Sequence, residues 1–449
     1  MNSLIETDDN RMDSGITVSL GADVSEGYVL RFELHHAEHF DFTSMTLGLE
    51  TPQQLGERLA AQVIATLDAR EDQPDRIACD LYPKFPTTYA AEVLADHYQV
   101  PMLRMQKCHR AIVDAMDGQM KAEAVTMHTA SHSPAQSETQ IVSETGTVPE
   151  THDAVLGICL DDLSYGSDGT LWGGEILEIS GEGFTRLASI HPYQLIGTNM
   201  ELHSSTPWQT AVSMLYDLAR MSHNEDEAIR DFVAKQEASE KVHLLDLCSL
   251  NDARAQYIAQ DRNKNTTRST AASGLFDAAA AILGFQRIST PTGRTPMEAL
   301  SEAAEAFEHN RKSKSQIDAL YAKLGKLIAA AEEMEDPTLE PGDLWEDTDD
   351  GAFSETSADD SQDILHTEQL IRLLADERIR YLTSLGKRNY DHPLNRKQPD
   401  SGTPDDNSCL LAWFLLDALA TIFTQYCNDK KMVLAGKFLQ SGCLRNHFK

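Results

Sequence analysis

The sequence is short of basic residues and of long apolar runs. Lys and Arg together number 38 against 71 Asp and Glu, which gives a formal net charge of −33. Such a surface would repel the phosphates of nucleic acid and of anionic membranes, so neither is expected as a partner. No stretch of eighteen consecutive apolar residues occurs, so no membrane-spanning helix is expected.

Paired cysteines and a leader are also missing. The seven cysteines are scattered, odd in number and without a C-x-x-C pair. This predicts free thiols in a reducing cytoplasm, with neither a disulfide framework nor a zinc ribbon. Residues 1–14 are polar and acidic, which predicts a disordered tail and not a signal peptide.

What the sequence does contain is an alternation of short apolar strands and amphipathic helices. Residues 16–21 (ITVSLG) and 28–34 are predicted to pair as a hairpin. A helix capped by Thr51, with Pro52 at its first position, is predicted to follow. A second unit of the same kind, also led by a hairpin, begins at Ala154. The alternation predicts an α/β fold with mixed sheets covered by helices.

Two segments interrupt this pattern. Residues 121–152 are rich in Ser, Thr and Glu, which predicts a low-complexity insert. Residues 332–363 carry fourteen acids and no Lys or Arg, which predicts a solvated acidic linker. The segments divide the rest of the chain into three predicted parts, namely a first lobe over 15–120, a second lobe over 153–331 and a C-terminal segment over 364–449.

Acidic and glycine residues follow the strand that is predicted at 155–160. Asp161 is placed at the carboxyl end of that strand, which is the edge where ligand sites of α/β sheets gather. Gly173 and Gly174 follow in the run DGTLWGGE, and backbone N–H groups of a turn there would be able to approach an anion. An ordinary hairpin turn is the alternative interpretation of the two glycines.

Histidines suggest two metal sites, and in both cases the simpler interpretation is preferred. His35, His36 and His39 form an H-H-x-x-H cluster, but neighbours in a strand point to opposite faces, which favours a solvated edge. Cys108 and His109 are adjacent, and on a helix their side chains would diverge by about 100°. A buried and inert thiol is therefore the expectation for Cys108.

Two further pairs are candidates for phosphate binding. Gly436 and Lys437 follow the last predicted strand, and Gly293 and Glu298 follow a buried helix. A glycine after a strand can cradle a phosphate, and a neighbouring lysine adds positive charge. Neither pair has the G-x-x-x-x-G-K-[ST] spacing of a Walker motif.

Four segments, in this order, resemble the hydrogenase-maturation carbamoyltransferase (HypF) family. They are residues 78–90 (ACDLYPKFPTTYA), 156–175 (LGICLDDLSYGSDGTLWGGE), 271–284 (AASGLFDAAAAILG) and 433–440 (VLAGKFLQ). The second resembles the family's L-G-V-A-F-D-G-T-G-Y-G-D-D-G-T-L-W-G-G-E and is the most specific of the four. The resemblance implies an actin-like (ASKHA) two-lobed ATPase fold, similar to that of the tRNA threonylcarbamoyltransferases.

The resemblance also implies a chemistry. Members of the family bind ATP and a metal ion and transfer a carbamoyl group, through carbamoyl-adenylate, to the C-terminal cysteine of a partner protein. The family's metal motif H-H-H-A-H, whose outer histidines are the ligands, aligns with residues 107–111 (KCHRA), where both outer positions differ and only the middle histidine, His109, matches. Asp161 matches the family's metal-side aspartate, which leaves one ligand of four. Because so few of the family's metal ligands are matched, this chain is not expected to bind a metal ion tightly.

The residues that match the family's nucleotide site are also incomplete. Ala435, Gly436 and Lys437 stand for S-G-G, so a lysine adds bulk where close backbone approach is needed. Ser273 and Gly274 stand for the family's glycine and arginine. The positions that keep a matching residue are Gly166, Gly173, Gly174, Asp277, Gly293, Glu298 and Gly436.

Three functions follow from the resemblance. The first is a HypF-like protein of [NiFe] hydrogenase or related metal-centre maturation, acting through a protein partner, with a degenerate ATP and metal site. The second is an active transferase that receives carbamoyl-adenylate from a separate protein, because the family's N-terminal modules do not precede residue 16. Asp161 and Lys107 would be its catalytic residues, and Lys437 would add charge. The third is a nucleotide-binding regulatory module, which rests on Asp277, Gly293 and Glu298.

Overall fold

The computed structural model describes most of the chain outside the two interrupting segments. The described residues are 16–21, 27–32, 36–42, 51–116, 154–166, 168–180, 183–195, 207–220, 267–285, 294–309, 314–333, 362–388, 405–428, 430, 432–440 and 442–448. They form two compact units, Met1–His152 with Ser164–Gly169 and Asp153–Leu163 with Thr170–Lys449. The predicted tail, the insert at 121–152 and most of the acidic linker lie outside the described residues.

The first unit contains a five-stranded mixed sheet in the order β3-β2-β1-β4-β5. Its strands are β1 (Ile16–Leu20), β2 (Tyr28–Phe32), β3 (His36–Phe40), β4 (Arg76–Asp80) and β5 (Met102–Met105). The first three strands pair antiparallel, and β4 and β5 run parallel to β1. The predicted hairpin of the first two strands is confirmed.

Helices connect the parallel strands of this sheet. Helix α1 (Pro52–Arg70) begins with the predicted cap, a capping box in which Thr51 and Gln54 bond to each other's backbone N–H. Helix α2 (Pro86–Tyr98) begins with Pro86 at its first helical position. Residues 107–116 are also helical.

The second unit contains a seven-stranded mixed sheet. Its strands are β6 (Val155–Tyr165), β7 (Leu171–Ser180), β8 (Gly183–Ile190), β9 (Tyr193–Gln194), β10 (Arg268–Ser269), β11 (Asp363–Leu365) and β12 (Met432–Ala435). Strand β6 lies between β7 and the parallel strand β12. Strand β8 pairs antiparallel with β7 and parallel with β11. An α/β fold with mixed sheets is therefore confirmed.

Helices make up the rest of the second unit. They are α3 (Pro207–Arg220), α4 (Ala272–Leu283), α5 (Pro296–His309), α6 (Lys314–Glu332), α7 (Glu368–Arg388), α8 (Asp406–Cys427), α9 (Lys437–Gln440) and α10 (Gly442–Asn446). Helix α4 is buried nearly all round, as its alanine-rich sequence predicts. Helix α8 is long and apolar enough to cross a membrane, but 72% of its most apolar stretch is buried inside the protein.

The hairpin between β6 and β7 differs from the prediction. The turn expected at Gly173 and Gly174 is wrong, because both glycines lie inside β7. The chain turns back between β6 and β7, where the N–H of Gly169 donates to the carbonyl of Gly166 over 3.2 Å. Asp161 likewise lies inside β6 and not after its end. The reason is that β6 continues to pair with β7 beyond the point where its parallel partner β12 stops.

Candidate functional site

The candidate site of the second unit lies where β12 ends beside β6. Ala435 pairs with Cys159, so Asp161 and the residues after β12 lie at the same edge of the sheet. Asp161 is only 3% exposed. Its Oδ1 accepts the N–H of Asp162 over 2.7 Å, and its Oδ2 accepts the N–H of Lys437 over 3.3 Å. The structure thus brings Asp161 and Lys437 together, and backbone donors engage both oxygens of the aspartate.

The Lys437 ammonium lies over this edge. Its Nζ is 2.7 Å from Oδ2 of Asp162, and the two side chains are 61% and 40% exposed. It also attracts the carboxylate of Glu298 in the first turn of α5, which is otherwise engaged in a capping box with Thr295. Hydrogen bonds from Thr295, helped by Arg294 and Lys437, hold the pKa of Glu298 below its ordinary value. The ammonium therefore offsets only part of the negative charge at this edge.

Gly436 is needed for this arrangement. Its φ is +93°, and a Cβ at this position would lie 2.4 Å from the carbonyl oxygen of Leu160. Only glycine fits such a conformation and such close backbone contact. The loop after β12 is thus pressed onto β6, which places the N–H of Lys437 at Asp161.

The N–H groups of the two glycines in β7 are occupied by a side chain of the protein. Gly173 and Gly174 donate to Oε1 of Glu175 over 3.0 and 3.3 Å. A Cβ at Gly173 would lie 2.7 Å from the carbonyl oxygen of Asp162, so the glycine permits close strand contact. The sequence analysis expected these N–H groups to approach a bound anion, and in the structure they donate to the protein's own Glu175 carboxylate.

Glu175 belongs to a buried network that the sequence did not suggest. The carboxylate is fully buried, accepts a hydrogen bond from Nε of Arg186 over 2.8 Å and bonds to the Thr270 hydroxyl. The guanidinium of Arg186 lies 4.1 Å from the ring centroid of Trp172. The partners come from three different strands and loops, so no spacing in the sequence could have identified them.

The segment that begins α4 is closed by an aromatic side chain. The hydroxyl of Tyr193 donates to the carbonyl of Ala271 over 3.2 Å. A Cβ built on Gly274 would lie 2.0 Å from that hydroxyl, so no larger residue fits at this position. Burial raises the pKa of Tyr193, and the nearby Asp277 carboxylate raises it further. Tyr193 thus fills the space that a longer side chain at position 274 would need, and Asp277 is half-buried beside it.

The remaining predicted site residues lie elsewhere. Lys107 and His109 belong to the first unit, whereas Asp161 belongs to the second. Lys107 is 6% exposed, and His109 is half-buried, donates its N–H to Gln106 over 3.0 Å and has a pKa lowered by burial. Gly166 is buried in the turn after β6. Gly293 lies outside the described residues.

The described residues do not fit a metal ion. Within the described ranges, no group of three His, Cys, Asp or Glu side chains is arranged to hold one. Both oxygens of Asp161 accept backbone hydrogen bonds, and Asp162 is paired with an ammonium. Of the H-H-x-x-H cluster, His35 lies outside the described residues and His39 is exposed in β3.

The sequence of this chain is similar to that of known proteins. Residues 157–345 match the carbamoyltransferase Kae1-like domain, second subdomain. The chain is 28% identical over 228 residues to a carbamoyltransferase HypF homolog of Cupriavidus necator, covering 51% of this chain and 46% of that protein. It is 27% identical over 241 residues to carbamoyltransferase HypF of Rhodobacter capsulatus, covering 52% of this chain and 25% of that protein.

Two solved structures share the fold. The crystal structure of full-length HypF in its phosphate- and nucleotide-bound form matches with a TM-score of 0.56 at 16% identity, covering 97% of this chain and 50% of that chain. The crystal structure of T. kodakarensis HypF matches with a TM-score of 0.54 at 15% identity, covering 97% of this chain and 43% of that chain. The chain therefore spans about half or less of the length of the proteins that it matches, and it carries a HypF-like C-terminal carbamoyltransferase core.

Proposed function

We propose that this chain, which carries a HypF-like carbamoyltransferase core, acts in the maturation of [NiFe] hydrogenase or a related metal centre with a degenerate ATP and metal site. On this proposal it works in the cytoplasm with a protein partner of the assembly pathway. Its two units are the lobes of an actin-like (ASKHA) fold. The likeness to proteins named for carbamoyl transfer supports the pathway, and the local geometry supports the degenerate site.

The topology of the two sheets supports the proposed architecture. Each sheet has a first strand, β1 or β6, that pairs with the next strand along the chain and also with a parallel strand from later in the chain. In each sheet the third strand then extends the antiparallel set. A repeated arrangement of this kind is what two related lobes would have.

The observation that carries the degenerate site is the position of Lys437. Its ammonium pairs with Asp162 over 2.7 Å, and its backbone N–H bonds to Asp161. A divalent cation placed at these carboxylates would be repelled by the ammonium. The N–H groups of Gly173 and Gly174 are likewise occupied by Glu175, which leaves them no role in holding a phosphate.

The second candidate is the active transferase that receives carbamoyl-adenylate from a separate protein. The specific observation in its favour is that Asp161 remains buried and ordered by two backbone donors beside an exposed ammonium. On this proposal the Lys437 ammonium would leave Asp162 to pair with an anionic substrate, without a metal ion. The third candidate, a nucleotide-binding regulatory module, remains a prediction from Asp277, Gly293 and Glu298.

Binding and complementation separate these candidates. Calorimetry with ATP and magnesium, together with metal analysis of the purified protein, is expected to show no binding tighter than about 100 μM and no bound metal. Deletion of the gene in its host is expected to lower hydrogenase activity, and the variant Asp161→Asn is expected to restore it fully. Failure of Asp161→Asn to complement, when the variant is folded and abundant, would support the active transferase.

The matched control for this variant is Asp168→Asn. Asp168 is an exposed aspartate in the turn between β6 and β7. It should complement under either proposal, so it reports on expression alone. Unchanged hydrogenase activity after deletion would contradict the maturation role itself.

A further inference from the structure

A cluster of titratable side chains lies at the edge of the second sheet, away from the candidate site. The parallel pairing of β8 with β11 ends at Ile190 and Leu365. The next residue on each strand is a histidine, His191 and His366. The hydroxyl of Thr367 accepts the N–H of His191 over 3.0 Å, so the start of α7 is tied to the end of β8.

The first residue of α7 places its carboxylate between the two imidazoles. Glu368 Oε2 lies 3.7 Å from Nδ1 of His191, and Oε1 lies 3.4 Å from Nδ1 of His366. The Glu368 side chain is 4% exposed and each histidine side chain is 13% exposed. Oε1 also accepts a hydrogen bond from Nε2 of Gln369 over 3.0 Å. Both imidazole distances exceed those of an ordinary hydrogen bond, so the interaction depends mainly on charge.

A small cavity adjoins this cluster. Its lining residues are Ile190, His191, Tyr193, Met214, Asp217, Leu275, Thr367 and Glu368. From α3, Asp217 adds a second carboxylate, which also accepts the N–H of Gln194 and pairs with Arg268. From α4 the cavity receives only the apolar Leu275. Arg372 lies one turn after Glu368 on α7.

The charges decide how the cluster responds to pH. Burial raises the pKa of the Glu368 carboxyl, but the imidazoles of His191 and His366 outweigh burial and bring it below its ordinary value. A buried carboxylate without a cationic partner is costly, whereas one flanked by imidazolium groups is stabilised. Histidine is the side chain whose charge most readily changes within the physiological range.

We propose that His191, His366 and Glu368 form a pH-sensitive latch that fastens the start of α7 to the end of β8. Protonation of the two imidazoles strengthens the latch, so it tightens as the pH falls from 8 to 6. Loss of these protons loosens β11 and the first turns of α7, the segment that follows the acidic stretch. This regulatory device is independent of the proposed maturation role.

Hydrogen exchange measured by mass spectrometry tests the latch in the full chain. Peptides that cover residues 363–375 should be protected roughly five- to tenfold more at pH 6 than at pH 8, after correction for the intrinsic exchange rate. The double variant His191→Gln, His366→Gln should lose this dependence on pH. His39→Gln, at an exposed histidine in the first unit, is the matched control and should keep it.

Two results would overturn the latch. One is equal protection of residues 363–375 in the wild-type protein at both pH values. The other is a pH dependence that survives in the double variant. If the double variant does not fold, the single variants His191→Gln and His366→Gln are tested instead. Each should keep about half of the logarithm of the wild-type ratio of protection between pH 6 and pH 8. Glu368→Gln, which removes the shared partner, should abolish it.

Discussion

The backbone N–H of Lys437 lies 3.3 Å from Oδ2 of Asp161, although 276 positions separate the two residues. Parallel pairing of β6 with β12 brings them to the same edge, and the positive φ of Gly436 turns the chain so that the N–H faces the carboxylate. The geometry of the candidate site therefore depends on one glycine, which makes that glycine the first place to test it.

Gly436→Ala should strongly destabilise the second unit. The new Cβ would lie 2.4 Å from the carbonyl oxygen of Leu160, and φ is +93°. The close contact and the positive φ together should lower the free energy of unfolding by roughly 2–4 kcal/mol, measured by urea denaturation. Gly284→Ala is the control, because φ is +83° there but no atom lies within 4 Å. It should cost only about 1 kcal/mol, and equal losses would show that contact with β6 is unimportant.

Glu175→Gln should be one of the most damaging conservative changes in the protein. It removes the charge that balances Arg186, whose side chain is 12% exposed, while Glu175 itself is fully buried. We expect a loss of about 3–5 kcal/mol in the free energy of unfolding, since one partner of a buried pair is left uncompensated. Glu178→Gln, in the same strand, should change it by less than about 0.5 kcal/mol. Replacing Arg186 by Met in the Glu175→Gln background should recover part of the loss.

Asp405 should make stability depend on pH in the acidic range. Burial raises the pKa of its carboxyl, but hydrogen bonds from Arg378 and from the N–H of Ser408 outweigh burial and bring it below the usual value. Because the folded-state pKa is depressed, the stabilisation is complete above the ordinary pKa near 4 and disappears as pH falls through the lower folded value.

The variant Asp405→Asn checks this pH dependence. It should be less stable than the wild-type protein by about 1 kcal/mol at pH 7, a modest value because the pair is partly exposed. The difference should shrink below pH 4 in urea titrations. Asp406→Asn, at the exposed neighbour, should follow the wild-type curve, and a constant difference for Asp405→Asn at all pH values would refute the assignment.

Thiol reactivity should distinguish Cys443 from Cys79. Burial raises the pKa of Cys79 to about 11, so almost none of it is thiolate at pH 8. Among the described cysteines, Cys443 alone is not fully buried. Alkylation of the folded protein followed by peptide mapping should therefore modify Cys443 first and Cys79 only on unfolding. Rapid labelling of Cys79 in the native protein would contradict its burial in β4.

Much of the architecture could be predicted because local signals agreed with the fold. The cap at Thr51 is set by its neighbours in sequence, and it is confirmed. The alanine-rich sequence of α4 likewise predicts its burial. The strand limits of β6 and β7 were missed, because the length of a hairpin depends on pairing and glycine within a strand resembles a turn.

The candidate site was predictable only in part. The approach of Asp161 to Lys437 follows from the rule that neighbouring parallel strands end at one edge, so it could be expected. The use of the Gly173 and Gly174 N–H groups by Glu175 could not, because a glycine pair does not reveal what it binds. The His191–Glu368 contact joins residues from distant segments, which no spacing along the chain encodes.

Strand β12 has a consequence for how the protein is made. Residues 432–435 pair with β6, which has emerged from the ribosome long before them. Until β12 arrives, the backbone groups along one side of β6 have no strand beside them and can recruit a strand from another nascent chain. The second sheet is therefore completed only once residues 432–435 have been translated, and a chaperone that shields β6 during translation would raise the yield of folded protein.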